Sequence, residues 1–513
     1  MFLSFSQEVD NEPTIKVDPR HYEPIGSWSE EKLRQSVADH PFMLTWAPGA
    51  SRANVPVMTH GEGVYLVDVA GKKYIDWTSQ AVCANLGHSI PESIVEAAAA
   101  QMRALPFVYG GVGLTEGRLR LNQLISEIMP GDLMAAVYPS SGAEANEAAI
   151  MIARRFTGKH KVFSWYRSYH GATGNAASAT GDFRRWYGNE TNAGFVKVFN
   201  PFPLFFDHAG ETTPEQVKSA LNLLEEQILN EGPDNIACML MESVVGAGGC
   251  LVMPEGYMQG VRAMLTKYNI MMICDEVMVG FGRTGKMFGF QNYKGVIPDI
   301  VSCAKGISAS SVPLSMTACR KDIVEFFNDK PLGYGSTYQA HPVAMACAYE
   351  NIKYLLKEDI VGQVQKKSVL FEEKMKELTA RFPCIKQYRS IGLFGCFDIQ
   401  EPSGENPRLQ HKPLGEAFAA YKKAFIEFGL AGIHRYPHVH VAPPLNITEE
   451  ELIDGFERHS RAIAVLNREL GFEETSGVML SSSQHNSARL SPSFSPTELK
   501  HNEVAAPQDL PAI

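Results

Sequence analysis

The sequence predicts an α/β fold: a large domain with a mostly parallel central sheet covered by helices, and a smaller α+β domain built from both ends of the chain. The first observation is a set of short, continuously apolar runs, which are typical of strands buried on both faces of a sheet. These runs are AAVYP (135–139), KVFSW (161–165), IACMLM (236–241), IMMIC (270–274) and IVSCA (300–304). The second observation is that helix-like stretches alternate with the runs, over 143–156, 214–229 and 256–268.

The remaining segments predict the smaller domain and the chain ends. Residues 64–76, VYLVDVAGKKYID, predict a hairpin with its turn at AGKK, whereas 343–380 predict helices and 384–470 a mixture of short strands and helices. Both ends are polar and carry proline or serine, which is typical of segments without a packed core. We therefore expect five parts: a flexible arm (1–27), the first part of the small domain (28–95), the large domain (96–342), the second part of the small domain (343–473) and a disordered tail (474–513).

The composition is that of a globular protein and disfavours nucleic acid or an anionic membrane as partner. Of the 513 residues, 45% are apolar and 20% are charged, and the formal net charge is -10. No apolar stretch approaches the roughly 18 residues that span a bilayer, and the N-terminus resembles neither a secretory signal nor an Arg-rich transit peptide. The nine cysteines include no C-x-x-C pair, so we expect reduced, buried thiols, no metal site and a cytoplasmic location.

Small and aromatic residues follow the first two strand-like runs. Ser141, Gly142 and Ala143 come after the first run and open a helix, where backbone N–H groups and the helix dipole favour a phosphate. A serine cap with a glycine is also ordinary helix punctuation. Tyr169 and His170 follow the second run, where an aromatic side chain either lies flat on a planar cofactor ring or simply packs in the loop.

Charged residues follow two further runs. Asp275 comes directly after IMMIC, so its carboxylate is expected at the mouth of the sheet, where it can keep a heteroaromatic nitrogen protonated or act as a helix cap. Lys305 comes directly after IVSCA; a lysine at a buried strand end is costly unless it reacts, pairs or reaches solvent. Desolvation makes such an amine a nucleophile toward aldehydes. Together these residues supply the parts of one cofactor site.

Residues 273–308, ICDEVMVGFGRTGKMFGFQNYKGVIPDIVSCAKGIS, resemble the signature of the class III aminotransferases, a branch of the fold-type I pyridoxal-phosphate (PLP) enzymes. The segments GEGVYLVDVAGKKYIDW, SSGAEANEAAI, SYHGAT, MESVVGAGG, GYGSTYQAHP and VAPPLNIT agree with that family, and the resemblance covers roughly residues 40–470. It implies the PLP fold-type I architecture, pyridoxal 5'-phosphate as the cofactor, and transfer of an amino group from an amine donor to a 2-oxo acid.

The resemblance also implies roles for matching residues. Lys305 corresponds to the lysine that binds the cofactor covalently and later carries the proton, and Asp275 to the acid that faces the pyridine nitrogen. The loop around Arg283 corresponds to a structural loop of the family. The other implied cofactor-binding residues are Ser141, Gly142 and Ala143 at the phosphate, Tyr169 on one ring face with His170 next to it in the same motif, Val277 on the other face, Glu242 near the pocket, and Thr337, which reaches the phosphate of a neighbouring subunit. Thr337 therefore implies a homodimer with shared active sites; a tetramer stays open.

The substrate is less well specified by the sequence. His440 stands three residues before Pro443, where many relatives have an arginine that grips the substrate α-carboxylate. Arg435 resembles the mobile arginine of ω-amino-acid transaminases, with a surface-loop arginine as the alternative, and Tyr109 is expected either in the substrate pocket or in the core.

The segments 105–121 and RSYHGATGNAASATGDFRRWYG (167–188) resemble transaminases that act on ω-amino acids of the taurine, β-alanine or 4-aminobutyrate class. We therefore predict an aminotransferase that passes the amino group to a 2-oxo acid such as pyruvate by a ping-pong mechanism. A PLP-dependent lyase or aminomutase on the same scaffold is the alternative, because the pocket decides which bond the cofactor activates.

Overall fold

The computed structural model describes residues 23–40, 42–187, 192–202, 212–403, 415–435 and 437–473, and the chain divides into two compact units. The first unit comprises residues 1–59, 67–72 and 505–513. Its described part contains helix α1 (Glu30–Asp39), which begins after Ser29, whose side chain accepts a hydrogen bond from the Lys32 N–H. The predicted tail and most of the predicted arm lie outside the described residues. The five-part division stays a prediction.

The second unit, residues 60–66 and 73–504, contains the seven-stranded sheet that the apolar runs predict. Its strand order is β4-β12-β11-β10-β7-β5-β6, and the neighbours β11, β10, β7, β5 and β6 pair in parallel, whereas β12 is antiparallel to β11 and to β4. The α/β prediction is confirmed. The strands are β4 (Leu133–Val137), β5 (Lys161–Trp165), β6 (Phe195–Val198), β7 (Ile236–Glu242), β10 (Met271–Asp275), β11 (Ile300–Cys303) and β12 (Met316–Arg320).

Helices alternate with these strands as expected. Helix α5 begins after the Ser141 cap and ends at Gly158, which adopts the left-handed conformation that glycine tolerates best. Helix α7 begins with a capping box between Thr213 and Gln216. The helices of this part of the chain are α3 (Glu92–Ala104), α4 (Glu116–Ile128), α5 (Gly142–Thr157), α6 (Gly174–Ala179), α7 (Pro214–Glu231), α8 (Tyr257–Lys267), α9 (Lys321–Phe326) and α10 (Pro342–Lys357).

The C-terminal segment contributes long helices and a second, antiparallel sheet of order β13-β14-β17-β16. Its strands are β13 (Ile385–Ile391), β14 (Phe394–Ile399), β16 (His434–Arg435) and β17 (His438–Val441), and its helices are α11 (Ile360–Arg381), α12 (Gly415–Glu427) and α13 (Glu449–Glu469). This mixture matches the one expected for 343–470.

Several short elements complete the description. Strand β3 pairs in parallel with β15, so a segment near the start of the chain lies beside one near its end. The predicted hairpin at 64–76 corresponds to β2 and β3, with a turn in which the Asp68 N–H donates to the Lys72 carbonyl. The short elements are β1 (Met58–Glu62), β2 (Tyr65–Asp68), β3 (Lys73–Asp76), an irregular turn α2 (Ser79–Val82), β8 (Val244–Val245), β9 (Leu251–Val252) and β15 (Leu430–Ala431).

The cysteines and the helices bear on two further predictions. All nine cysteines are free thiols, and all but Cys83 are buried, as the sequence predicts. Among the described helices, none combines the length and the apolar character that a membrane-spanning segment requires.

Candidate active site

The carboxyl ends of three neighbouring strands bring the central acid together with its partners. Asp275, the last residue of β10, lies in register with Glu242 at the end of β7 and with Ser302 of β11. Lys305 follows Ser302 by three positions and begins a short 3₁₀ turn at the same edge of the sheet. Its φ of 45° lies in the left-handed region, which costs free energy for a non-glycine residue and is concentrated at functional sites.

The Asp275 carboxylate is buried and accepts hydrogen bonds from three sides. One oxygen, Oδ2, accepts from the Asn146 Nδ2 at 2.8 Å and from the His170 Nδ1 at 2.8 Å. The other, Oδ1, accepts from the Val277 backbone N–H at 3.0 Å. Because a buried carboxylate is costly without such donors, this arrangement holds a negative charge in a fixed position at the strand end.

Asn146 is a site residue that sequence reasoning missed. It lies on α5 with 1% of its surface exposed, and its Nδ2 also donates to the His170 carbonyl at 2.8 Å. The amide therefore ties together α5, the loop after β5 and the end of β10. A buried asparagine on the alanine-rich face of α5 was the available signal, because a polar side chain on a buried face requires partners.

His170 is oriented by the same network. Its backbone N–H donates to Thr180 Oγ1 at 3.0 Å, while its Nδ1 faces Asp275. Donation to the carboxylate places a hydrogen on Nδ1. The opposite ring nitrogen, Nε2, is buried and has no hydrogen-bond partner among the described residues. The histidine therefore presents one polar atom whose bonding the described chain leaves incomplete.

The start of α5 lies directly beside Val277 and the His170 loop. A Cβ added to Gly142 would lie 2.8 Å from a methyl group of Val277, and one added to Gly171 would lie 2.6 Å from the Ala143 side chain. Ser141, which is exposed, accepts from the Glu144 N–H at 3.3 Å and so caps the helix. The predicted phosphate segment thus reaches the residues expected around a cofactor ring.

Glu242 joins this group through the backbone of Tyr169. Its Oε1 accepts from the Tyr169 N–H at 3.0 Å and its Oε2 from the Gly246 N–H at 2.7 Å. Burial raises the pKa of Glu242 to about 7, and the negative charge of Asp275 adds to this effect, while His170 opposes it. The carboxyl group is therefore poised to change protonation near neutral pH.

Arg184 is the second site residue that the sequence did not reveal. Its guanidinium lies over the Tyr169 ring, with 3.4 Å between the central carbon and the ring centroid. The side chain is buried and forms an ion pair with Asp182. Tyr169 itself is half-buried. One of two consecutive arginines on a polar stretch is usually a solvated residue, so no pattern in the sequence distinguished it.

His440 lies in β17 and faces the turn after Glu242. Its Nε2 lies 3.1 Å from the Gly246 carbonyl, and its ring stacks near Phe394 with the centroids 6.3 Å apart. A bond to a carbonyl requires a hydrogen on Nε2. With 6% of its surface exposed, the imidazole braces the turn that carries the Glu242 partner Gly246.

A buried polar cluster lies behind this turn. The ligand atoms of Cys396, Asp398 and His438 lie within 4.8 Å of one another, a spacing that a metal ion could use. Arg389, however, donates to both Asp398 oxygens and, through Nε, to the Gly249 carbonyl at 2.5 Å. Although burial opposes ionisation, the Arg389 and His438 hydrogen bonds hold the pKa of Asp398 well below its usual range. A guanidinium therefore supplies the positive charge of this cluster.

Arg283 is fully buried and joins distant segments of the chain. Its Nη1 donates to the carbonyls of Leu393 at 3.0 Å and Pro443 at 2.5 Å. Its Nη2 donates to Ser79 Oγ at 3.1 Å and Asn85 Oδ1 at 3.2 Å. Burial lowers the pKa of Arg283 to about 9. These contacts agree with a structural loop at GFGRTG.

Three predicted residues lie apart from the group around Asp275 or cannot be placed in it. Thr337 is exposed in a turn that precedes α10, and Tyr109 is 56% exposed in the turn between α3 and α4. Arg435 belongs to β16 and pairs with His438, but its side chain lies outside the described part of the structure. Their roles stay predictions.

Comparison with known proteins places this geometry in context. A family model described as aminotransferase class-III matches residues 48–463. A putrescine–pyruvate aminotransferase from Pseudomonas aeruginosa is 32% identical over 371 residues, which is 70% of this chain and 80% of that protein. A mitochondrial γ-aminobutyrate transaminase from Oryza sativa subsp. japonica is 32% identical over 428 residues, which is 80% of this chain and 81% of that one.

Solved structures agree. The structure of taurine:2-oxoglutarate aminotransferase from Bifidobacterium kashiwanohense, in complex with PLP and glutamate, has a TM-score of 0.80, 34% identity, and covers 86% of this chain and 99% of its own. An (S)-enantioselective ω-transaminase from Thermomicrobium roseum has a TM-score of 0.79, 31% identity, and covers 86% and 99%.

The residues present here fit pyridoxal phosphate. The fixed Asp275 carboxylate suits a protonated ring nitrogen, and the buried Nε2 of His170 has no described partner. The missing side chain at Gly142 leaves α5 close to Val277, so backbone N–H groups can approach a phosphate. Lys305 stands at the same sheet edge for the aldehyde.

Proposed function

The chain belongs to the class III aminotransferases, which use pyridoxal phosphate, and we propose that it transfers an amino group from an ω-amino acid or a related amine to a 2-oxo acid such as pyruvate. The observation that carries the proposal is the buried Asp275 carboxylate, fixed by three donors at the strand end next to the one that leads to Lys305. When bound, PLP supplies an aldehyde that combines with amines and a ring that accepts electrons.

The residues of this chain divide the remaining work. The Lys305 amine would hold the cofactor and, with the donor bound, would take the proton from the donor carbon that bears the nitrogen. Asp275 would keep the ring nitrogen protonated, because its carboxylate is buried and solvent cannot screen its charge. Tyr169 and Val277 would hold the ring from its two faces, and Ser141 and its neighbours would bind the phosphate.

The surroundings of His440 support a donor whose amine is distant from its acidic group. The imidazole is buried against the Gly246 carbonyl and Phe394. His440 therefore does not take over the role of an arginine that binds the α-carboxylate of the substrate. We assign the acidic head group of the donor to Arg435 and the pocket wall to Tyr109. Of the donors named for relatives, taurine and γ-aminobutyrate carry the amine away from the acidic group, and putrescine has no acidic group.

The reaction is a ping-pong exchange in which the donor product leaves before the 2-oxo acid binds. Lys305 serves both halves with the same amine, removing a proton in one and returning it in the other. Pyruvate is the proposed acceptor, since one relative is named for it. A lyase or aminomutase would instead turn over with a single substrate.

The active unit is proposed to be a homodimer in which Thr337 reaches the phosphate of the neighbouring subunit. Thr337 is exposed in this chain, as such a contact requires, and apolar side chains are exposed from the end of α3 to the start of α4 and next to Thr337 in the sequence. They are Met102, Leu105, Tyr109, Val112, Leu114 and Tyr338. Pairing of dimers into tetramers stays open. The nine free thiols support a reducing compartment, and we propose the cytoplasm.

The experiment is a half-reaction followed by absorption. The PLP-loaded protein is mixed singly with taurine, β-alanine, 4-aminobutyrate, putrescine, ornithine or alanine, and Lys305→Ala serves as the control. A visible band that an ω-amino donor bleaches and pyruvate restores supports the proposal. Bleaching by ornithine or alanine but by no ω-amino donor overturns the substrate class. Turnover of an amine without any 2-oxo acid indicates a lyase or aminomutase.

A further inference from the structure

We propose that Arg184 is a positioning residue that fixes the ring of Tyr169 against the cofactor, with Asp182 holding the guanidinium in place. The inference rests on the proposed function, because it takes Tyr169 as the aromatic residue that stacks on pyridoxal phosphate. It concerns a contact that lies behind the tyrosine rather than on the cofactor itself.

The backbone that carries Arg184 is packed tightly against the strand that leads to Tyr169. The N–H groups of Gly181 and Asp182 both donate to the Ser168 carbonyl, at 2.9 and 3.0 Å. A Cβ added to Gly181 would lie 1.9 Å from the carbonyl oxygen of Trp165, so only glycine permits this approach. The segment 181–184 therefore has a fixed position relative to the residue before Tyr169.

The Arg184 guanidinium is then fixed by Asp182. Its Nε donates to both Asp182 oxygens, at 2.8 Å and 3.1 Å, and its Nη2 also pairs with Oδ2. The two side chains are 6% and 10% exposed. A two-pronged pair in a buried place holds the plane of the guanidinium as well as its position.

The Arg184 guanidinium lies over the Tyr169 ring. At 3.4 Å from the ring centroid, the guanidinium covers one face of the tyrosine, while the Tyr169 N–H is tied to Glu242. Main chain and ring are thus held from separate directions. A ring whose two side-chain torsions are already fixed loses less conformational freedom when a cofactor stacks on it. The pair Asp182–Arg184 therefore strengthens cofactor binding without touching the cofactor.

The test is the dissociation constant for PLP, measured with the full chain, together with the position of the visible band of the loaded enzyme. Arg184→Gln removes the stacked charge while an amide can still donate to Asp182. We expect the dissociation constant to rise about three- to tenfold, because only part of a desolvated cation–π contact is passed on to cofactor binding, and the band to shift. Arg184→Lys keeps the charge, so its dissociation constant should lie between those of the wild type and Arg184→Gln. Arg185→Gln is the matched control, because the guanidinium carbon of Arg185 lies over the Tyr166 ring, 5.7 Å from its centroid, and not over Tyr169.

A double-mutant cycle decides whether Arg184 acts through Tyr169. In a Tyr169→Leu background, Arg184→Gln should change the dissociation constant by less than about twofold. An unchanged constant for Arg184→Gln, or an equal effect in both backgrounds, overturns the inference. Circular dichroism and melting temperature identify a misfolded variant, for which Arg184→Lys decides in its place. If the wild type binds PLP and exchanges amines but the double-mutant cycle shows no coupling between Arg184 and Tyr169, the inference fails and the proposed function stands. A wild type without the visible band overturns the proposed function.

Discussion

The His170 Nδ1 lies 2.8 Å from the Asp275 Oδ2, and both side chains are buried. The imidazole and the Asn146 amide converge on one carboxylate oxygen. The charge of Asp275 is therefore held by the loop after one strand and by a helix at once, which keeps the carboxylate in a fixed position.

Asp275→Asn should abolish most transaminase activity. The substitution removes the charge and places an amide group opposite two donors, so we expect kcat to fall roughly a hundredfold or more, the scale on which loss of one preorganised electrostatic partner acts. The steady-state rate with the best donor and a 2-oxo acid gives kcat, and single-turnover bleaching by that donor gives the rate of the first half-reaction. Asp299→Asn is the control, because Asp299 lies directly before β11, is equally buried and pairs with Arg262 and Arg320. Equal loss in both variants would contradict the role of Asp275.

Asn146→Ala should weaken both the fold and the site. Loss of a hydrogen bond to a charged group costs about 1.5–3 kcal/mol, so the free energy of unfolding should fall and the visible band should titrate at a changed pH. Asn467→Ala is matched in burial and also breaks buried hydrogen bonds, to Phe472 and Cys384. It should lower the melting temperature without changing the band. A band shift in both variants would remove Asn146 from the site.

Glu242→Gln should change how stability depends on pH. Burial raises the pKa of Glu242 to about 7 in the folded protein, compared with about 4.5 in the unfolded chain. The contribution of Glu242 to the free energy of unfolding is therefore fully present below pH 4.5 and is lost as the pH rises through 7. The neutral amide does not titrate. Relative to wild type, the variant should therefore gain stability as the pH increases from 5 to 8, as measured by urea unfolding. Burial likewise raises the pKa of Glu276 to about 7, and Glu276→Gln should show the same trend. A constant difference across pH would contradict the raised pKa.

Lys367→Met should remove a brace beneath the Pro443 turn. The buried Nζ donates to the carbonyls of Leu445 at 2.7 Å and Ile447 at 2.8 Å, so the loss should cost about 1–3 kcal/mol of stability. Burial lowers the pKa of Lys367 to about 8, which means that the wild type should gain stability between pH 8 and 10.5 as the native lysine loses its proton first. Lys366→Met, a substitution at the exposed neighbouring residue, should change neither the free energy of unfolding nor its gain at alkaline pH. Absence of the alkaline gain in the wild type would contradict this assignment.

The sequence was sufficient for residues whose chemistry depends on strand position. Asp275 and Lys305 each follow an apolar run, and parallel pairing brings such strand ends to one edge. Asn146 carried one signal in the sequence, a polar side chain on the buried face of α5, but its partner was not predictable, and no local pattern signalled Arg184. The Asn146 amide meets a carboxylate 129 positions away, and the Arg184 partner is a ring fixed by a loop rather than by a helix or strand. Tertiary packing, not residue type, makes them site residues.

Gly181→Ala should disturb the cofactor site from a distance. The added methyl group would lie 1.9 Å from the Trp165 carbonyl oxygen, so the backbone must shift and carry Asp182 and Arg184 with it. We expect a lower melting temperature and weaker PLP binding together, because the shift breaks the stacking on Tyr169. Gly117→Ala is the control: its added methyl meets only ordinary contacts at 3.6 Å or more, and Gly117 is the second residue of α4, where alanine is a better helix former than glycine. That variant should be as stable as wild type or more so, with unchanged PLP affinity. A Gly181→Ala protein that melts earlier yet binds PLP normally would show that the segment supports the fold alone.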